Sequence, residues 1–369
     1  MIPRLDNYVS SFRRTLYKYI PPLRWRVRAS QMDVREAFYD AISDKNSDTA
    51  TLIRDMCLGQ MKEQLPGRQD LWDLLTPKYN PGCKRILVSD DYYPCLTLPN
   101  VKLETRSITK ITPKGVQCEG ETEDTAADFD LIVCATGFRT VEFMHPITIT
   151  GRKGRSLSDI WSTGAYAYNG VTIPDLPNFG ILYGPNTNLG HNSIILMIEA
   201  QSRYICALVG AVLDARMRDR DGITDESTTV GAGTTARDVA GKSQLSLAPK
   251  QATTDAYNER LQKELGTLTF SDPACNSWYK DAKSGLITAN WSGTVVEYQK
   301  MMSKVVWDDY EGGEEVKRLW CGEGSAWVGW VVEETRIGNA ALVGMSVAAV
   351  ALGWAVRNHK MVAGMLRAR

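Results

Sequence analysis

Residues Ala127–Phe138 read Ala-Asp-Phe-Asp-Leu-Ile-Val-Cys-Ala-Thr-Gly-Phe. An acidic lead-in enters an unbroken apolar run, Leu131 to Ala135, which stops at Thr136-Gly137. An apolar run of this length between turn residues predicts a strand buried on both faces, as in a parallel sheet. Gly137 at its carboxyl end lets the backbone bend or approach a ligand closely. Ligands of open α/β sheets sit at the carboxyl ends of strands, so residues 134–138 are the first place to expect a cofactor. A buried strand followed by an ordinary turn has the same pattern.

The chain has 369 residues, enough for two domains at about 150 residues each. Its 43 basic and 43 acidic residues balance to zero, which gives no electrostatic footprint for nucleic acid. The eight cysteines are scattered without a C-x-x-C pair. That spacing disfavours a zinc site and a disulfide scaffold and favours a reducing compartment. The three histidines, His145, His191 and His359, supply neither a histidine triad nor a metal cluster. Met1-Ile-Pro-Arg-Leu-Asp lacks an apolar signal region. The expected location is therefore cytoplasmic or membrane-associated, not secreted.

Residues 1–75 are polar and predicted helical. Tyr8, Phe12, Leu16 and Tyr19-Ile20 fall at helical spacing, and Pro21-Pro22 breaks that helix. The basic, aromatic stretch from Arg13 to Arg28 suits either a solvated helix face or a phosphate or membrane surface. Pro81-Gly82 marks a turn ahead of Lys84-Arg85, a pair suited to clamping an anion, although surface basic pairs read the same way. Val101–Leu103, Ile108–Ile111 and Val116–Cys118 predict a meander of short strands. Phe179–Tyr183 predicts another strand, followed by the loop Gly184-Pro-Asn-Thr-Asn-Leu-Gly190 and a strong helix. The apolar face expected for that helix carries Ile194, Ile195, Met197, Ile198, Ile205, Leu208, Val209 and Val212. A strand, a Gly-containing loop and a helix N-terminus present free N–H groups to an anionic ligand. Residues 217–245 read as a polar loop insert. Within it, Gly231–Ala236 matches a dinucleotide fingerprint in letters only, because no strand precedes it. A helix is expected from about Ala256 to Leu265.

Ile337 to Val356 is 20 residues without a charge, long enough to span a hydrocarbon core of about 30 Å. Arg357, Lys360, Arg367 and Arg369 follow it. A buried helix or one lying on a surface has a similar composition, and placing the basic end in the cytosol argues against a simple tail anchor.

The motifs Thr76–Arg85 (TPKYNPGCKR), Ser89–Tyr93 (SDDYY), Leu98–Val101 (LPNV), Ile111–Val116 (ITPKGV), Ala135–Phe138 (ATGF), Pro177-Asn178, Gly184–Asn186 (GPN), Asn276–Tyr279 (NSWY) and Trp307–Tyr310 (WDDY) occur in this order. Together they resemble the C-terminal portion of the class B flavoprotein monooxygenases, especially fungal Baeyer–Villiger monooxygenases, over roughly residues 1–310. The resemblance implies an α/β fold: an incomplete two-dinucleotide-binding-domain flavoprotein with a C-terminal apolar helix. Residues 1–100 would be the remainder of an NADP-binding domain and 101–310 that of an FAD-binding domain. Residues 311–369 would form a tail.

It also implies two cofactors, FAD and NADPH, and insertion of one oxygen atom from O₂ into a small organic substrate, a ketone in the Baeyer–Villiger case. Lys84 would face the NADPH 2′-phosphate. Arg85 would be the catalytic residue, stabilising an anionic peroxyflavin and holding the nicotinamide. Ala135, Thr136, Gly137 and Phe138 would lie where the cofactors meet. Gly184, Pro185 and Asn186 would lie against FAD, and Trp278 would cover the NADPH ribose. No residue is implied as a metal ligand. Both Gly-rich diphosphate loops of the family are missing from the sequence. That departure leaves open a piece of a longer enzyme or an inactive remnant acting as a binding or membrane-associated protein.

Overall fold

A computed structural model describes residues 9–123, 125–221, 245–281, 284–319, 328 and 339–358. The first hundred residues carry six helices: α1 Ser11–Tyr19, α2 Pro21–Glu36, α3 Tyr39–Ser43, α4 Asp48–Gln64, α5 Gln69–Leu75 and α6 Tyr92–Cys95. Ser10 caps α1 by accepting from the Arg13 N–H, and Ser47 caps α4 by accepting from the Ala50 N–H. Pro21 and Pro22 end α1 and open α2, where a missing backbone N–H costs nothing. Tyr8 lies outside the described residues.

A three-stranded antiparallel sheet follows, in the order β1 Ile108–Ile111, β2 Gly115–Cys118 and β3 Ala127–Asp128. After α7, Leu157–Ile160, comes the long helix α8, Ile194–Asp221. The remaining elements are β4 Ala248–Pro249, α9 Gln251–Leu265, α10 Val295–Met302, β5 Tyr310–Glu311, α11 Gly313–Leu319 and α12 Asn339–Arg357. Capping boxes fix the starts of α7 (Ser156, Asp159) and α10 (Thr294, Glu297). The main core forms where α8 meets α9, α10 and α11, around Met197, Tyr204, Leu261, Leu265, Tyr298, Met302 and Val316.

Several expectations change. Leu131–Ala135 is not a buried strand. It is irregular, and Leu131 and Val133 are each 77% exposed. The reason lies in pairing. β3 bonds to β2 at Ala127 and Asp128, and the Phe129 N–H still reaches the Lys114 carbonyl. Beyond that no described strand lies alongside, so the ladder stops. Phe179–Tyr183 is likewise not a strand, because Asn178 and Tyr183 adopt positive φ at 57° and 55° and break any extended run. Residues 101–103 also lie outside the sheet. Of the expected insert, residues 217–221 continue helix α8 instead of forming a loop, and residues 222–244, with Gly231–Ala236 among them, lie outside the described residues.

Helix α8 forms where expected, and the face it turns inward overlaps the expected one only in part. Met197, Ala200, Gln201, Tyr204, Leu208, Ala211, Val212 and Ala215 are buried, whereas Ile195 and Val209 are 61% and 49% exposed. Ala200, Gln201, Tyr204, Ala211 and Ala215 join Met197, Leu208 and Val212 in the buried stripe, so hydropathy alone finds part of that face and misses its small and polar members. Met197→Ala should therefore destabilise the chain by about 2–5 kcal/mol, and Ile195→Ala by less than about 0.5 kcal/mol. Urea unfolding of the two variants checks this.

A cluster of buried tyrosines crosses this core. The Tyr204 and Tyr310 hydroxyls lie 3.1 Å apart, and Tyr298 donates to the Asn169 carbonyl at 2.8 Å. Burial pushes the Tyr204, Tyr257, Tyr298 and Tyr310 phenols above their ordinary value of 10.0. Above that pH the unfolded chain releases these protons while the folded chain keeps them, so folding loses stability as pH rises. The unfolding midpoint should show no tyrosine contribution below about pH 10 and fall above it, each tyrosine adding up to about 1.4 kcal/mol per pH unit.

Candidate functional site

Lys84 and Arg85 follow the turn Pro81-Gly82. Gly82 has φ +93°, and a Cβ there would stand 2.8 Å from Ile42 Cγ1, so the turn packs directly on α3. Cys83 is disulfide-bonded to Cys275 across a sequence separation of 192 residues. This corrects the cysteine reading: spacing along the chain reveals local pairs only. Beside the disulfide, Asn80 Nδ2 donates to Asp272 Oδ2 at 3.0 Å. The two links tie the basic turn to the segment that leads into Trp278. Trp278 stands edge-on to Tyr279 with ring centroids 4.7 Å apart, and Tyr279 packs on Phe270.

Arg85 reaches inward. Its Nη2 donates to the Leu189 carbonyl at 3.1 Å, at the end of the Gly184–Gly190 loop. Burial pushes the Tyr279 and Tyr183 phenols up, and the Arg85 charge opposes that rise at both. The guanidinium thus sits within electrostatic reach of two phenols. Lys84 lies over the Tyr79 ring, its Nζ 5.0 Å from the centroid.

Both basic residues line a cleft of about 280 Å³. Arg35 from the end of α2, Ile42, Gly190, His191 and Asn192 also line it, and no carboxylate does. Just behind it His191 is nearly buried, with Nε2 3.1 Å from Glu36 Oε2, while Glu36 Oε1 accepts from the Val295 N–H at 2.9 Å. The Asn192 side-chain amide nitrogen is buried without a hydrogen-bond partner. Three cations and an unmatched amide donor suit an anionic ligand.

The Gly184–Gly190 loop is held from below. Asn186 has φ 58°, and its backbone N–H donates to the Thr288 carbonyl at 2.8 Å. Its side-chain amide donates to the carbonyls of Ile287 at 2.6 Å and Asn290 at 3.0 Å. Asn188 Nδ2 donates to Asn290 Oδ1 at 2.6 Å, and Tyr183 donates to Asn188 Oδ1 at 3.0 Å. Gly184 abuts the Gly170 carbonyl, which an added Cβ would approach to 2.4 Å.

Lys84 and Arg85 therefore meet the loop that carries Gly184, Pro185 and Asn186, and the disulfide links them to the approach to Trp278, which is 47% exposed. Ala135, Thr136, Gly137 and Phe138 are not drawn into this cleft. All four are exposed, Phe138 at 95%, and Gly137 has φ +91°. Sequence reasoning missed Arg35, Glu36, His191, Asn192 and Asn290. Arg35 extends the basic run of α2, which was a readable signal. The pairing of Asn188 with Asn290 spans a hundred residues and had none.

No known protein-family profile matches the chain. It is 43% identical over 359 residues to the FAD-binding monooxygenase ktnD of Aspergillus niger, covering 96% of this chain and 54% of that protein. It is 30% identical over 324 residues to a Baeyer–Villiger monooxygenase of Streptomyces coelicolor, covering 84% of this chain and 54% of that one. The chain belongs with the FAD-binding and Baeyer–Villiger monooxygenases. It spans about half the length of the curated members of the family it matches. The fold is that of a Baeyer–Villiger-type flavoprotein: it superimposes on the crystal structure of OTEMO in complex with FAD and NADP with a TM-score of 0.58 at 18% identity, covering 82% of this chain and 58% of that one.

In this monooxygenase-family chain, Asn188→Ala would strand Asn290 Oδ1 and the Tyr183 hydroxyl. The expected cost is about 1–3 kcal/mol, measured as a lower urea midpoint with an unchanged m-value.

Proposed function

We propose that this chain forms part of an FAD- and NADPH-dependent monooxygenase that inserts one oxygen atom from O₂ into a small organic substrate, a ketone by preference. The observation that carries the reading is the cleft where Arg35, Lys84 and Arg85 converge without a carboxylate, against the Gly184–Gly190 loop. Family membership and the FAD- and NADP-bound OTEMO structure support the choice of cofactors.

The residues present fit the charged end of such a cofactor. The cleft offers guanidinium, ammonium and an unpaired buried amide donor. Flavin, when bound, supplies activation of oxygen, and the reduced nicotinamide supplies the electrons. Lys84 is assigned to the 2′-phosphate of NADPH, as a flexible point charge on the exposed rim. Arg85 is assigned to negative charge that develops near the ring systems. Its hydrogen bond to the Leu189 carbonyl orients the guanidinium before reaction, so little reorganisation is needed. Gly184, Pro185 and Asn186, themselves buried, are assigned to hold rigid the loop against which FAD would lie. Trp278 offers an exposed ring to cover the NADPH ribose. Ala135–Phe138 is proposed to lie between the cofactors, and the exposure of Phe138 supports an apolar surface awaiting a cover.

The test is cofactor binding followed by turnover. The purified chain is titrated with FAD, then with NADP⁺ and NAD⁺, reading flavin absorbance and tryptophan fluorescence. We expect saturable FAD binding and a preference for NADP⁺ of about tenfold or more, as one lost charge-assisted bond predicts. Lys84→Ala should abolish the preference while FAD binding persists. With NADPH, O₂ and a panel of cyclic ketones, Arg85→Ala should lower oxygenation by about a hundredfold or more. An unchanged cofactor preference in the first variant removes Lys84 from its role, and an unchanged rate in the second removes Arg85.

A further inference from the structure

Helix α12 is the part of the fold that the monooxygenase reading leaves unused. It runs from Asn339 to Arg357, 19 residues, and every side chain from Val343 to Trp354 is exposed. At 100° per residue, Val343, Val347, Val350 and Trp354 cluster on one face. Met345 and Leu352 stand opposite, with Ala and Gly on both flanks. Ser346 is the single polar side chain between Val343 and Trp354, so the helix has no polar face to offer water.

The contrast with α8 is informative. Among the described residues α8 is the one helix with an apolar window long enough to cross a membrane, and Val343–Trp354 of α12 is a shorter apolar stretch; yet α8 buries Met197, Tyr204, Leu208 and Ala215 in the core, which accounts for its composition. Nothing comparable accounts for α12. Val347, Val350 and Leu352 are 63%, 73% and 68% exposed. A core helix would bury one stripe, and a helix lying on a membrane surface would carry a charged face.

We propose that α12 is a membrane anchor whose partner is the hydrocarbon core of a lipid bilayer. Nineteen residues rise about 28 Å, close to the roughly 30 Å of a bilayer core. Trp354 lies within one turn of Arg357, the arrangement that seats a helix end at the headgroup boundary. From Arg357 to Arg369 the sequence holds four Lys or Arg and no Asp or Glu, which complements anionic headgroups. The basic end of α12 bears on the direction in which the helix enters the bilayer, which weighs against a simple tail anchor but not against insertion, and the inference stands apart from the proposed reaction, because no residue of the cleft takes part in it.

The experiment is vesicle flotation of the full chain, with phosphatidylcholine vesicles and with vesicles containing phosphatidylserine. The expected result is co-flotation with both, retained after a high-salt wash. The double variant Val347→Glu/Val350→Glu should lose partitioning by about a hundredfold or more. Its circular dichroism and urea midpoint should match those of the parent chain, since both positions are exposed. Four results overturn the proposal: failure of the parent chain to float, flotation only on anionic vesicles with release by salt, equal flotation of the variant, or a lipid-free dimer that the variant dissolves while neither protein floats. The last would assign the helix to a second copy of the chain.

Discussion

The fold turns on a lashing between two irregular segments. The Gly184–Gly190 loop and residues 287–291 exchange backbone bonds at Asn186, Asn188 and Trp291, and the Asn186 and Asn188 side chains add three more. Both segments are buried, so every one of these groups has left water and depends on its partner. A buried loop is expensive unless its polar atoms are matched, and asparagine, with two donors and an acceptor, matches a carbonyl-rich neighbour well. Once the loop is fixed, its carboxyl end aims into α8, Gln201 receives the Tyr183 N–H at 2.8 Å, and Leu189 offers its carbonyl to Arg85.

The basic pair reaches this platform through long-range ties. Cys83 is joined to Cys275, Asn80 bonds Asp272, and Gly82 lets the turn press on Ile42. The cleft is therefore built from the helices between Arg35 and Ile53, the turn at residues 82–86 and the loop at residues 190–192 ahead of α8, three parts of the chain far apart in sequence. Its charge is one-sided at close range, although the chain as a whole is neutral. Glu36 is the nearby exception, and it is turned away, engaged with His191 and the first residue of α10.

Apolar surface is distributed unevenly over the rest. Leu131, Val133 and Phe138 stand exposed in one segment, Ile195, Val209 and Leu213 on the outer face of α8, and Val343 to Trp354 along α12. Isolated exposed hydrophobics need no explanation, but runs of them mark surfaces that something else covers. The chain spans about half the length of its curated relatives, and the pattern along Leu131–Ala135 is that of a strand written for neighbours on both sides.

The sequence by itself determined what is local. Pro21-Pro22 set the boundary between α1 and α2, the alternation around residues 108–118 set the hairpin, and the long apolar repeat set the existence of α8. It also supplied the ordered motifs that placed the chain in its family and singled out Lys84 and Arg85. Tertiary structure decided what depends on partners. Whether Leu131–Ala135 is a strand depends on a neighbouring ladder, which the local apolar run cannot supply. Which stripe of α8 is buried was decided by its packing on α10 and α11, where Gln201, Tyr204 and three alanines join Met197, Leu208 and Val212, because close packing selects shape as well as hydropathy. The pairing of Cys83 with Cys275 and of Asn188 with Asn290 joins residues a hundred or more positions apart. Such contacts leave no period or spacing in the chain, since their geometry exists only once the intervening elements have folded.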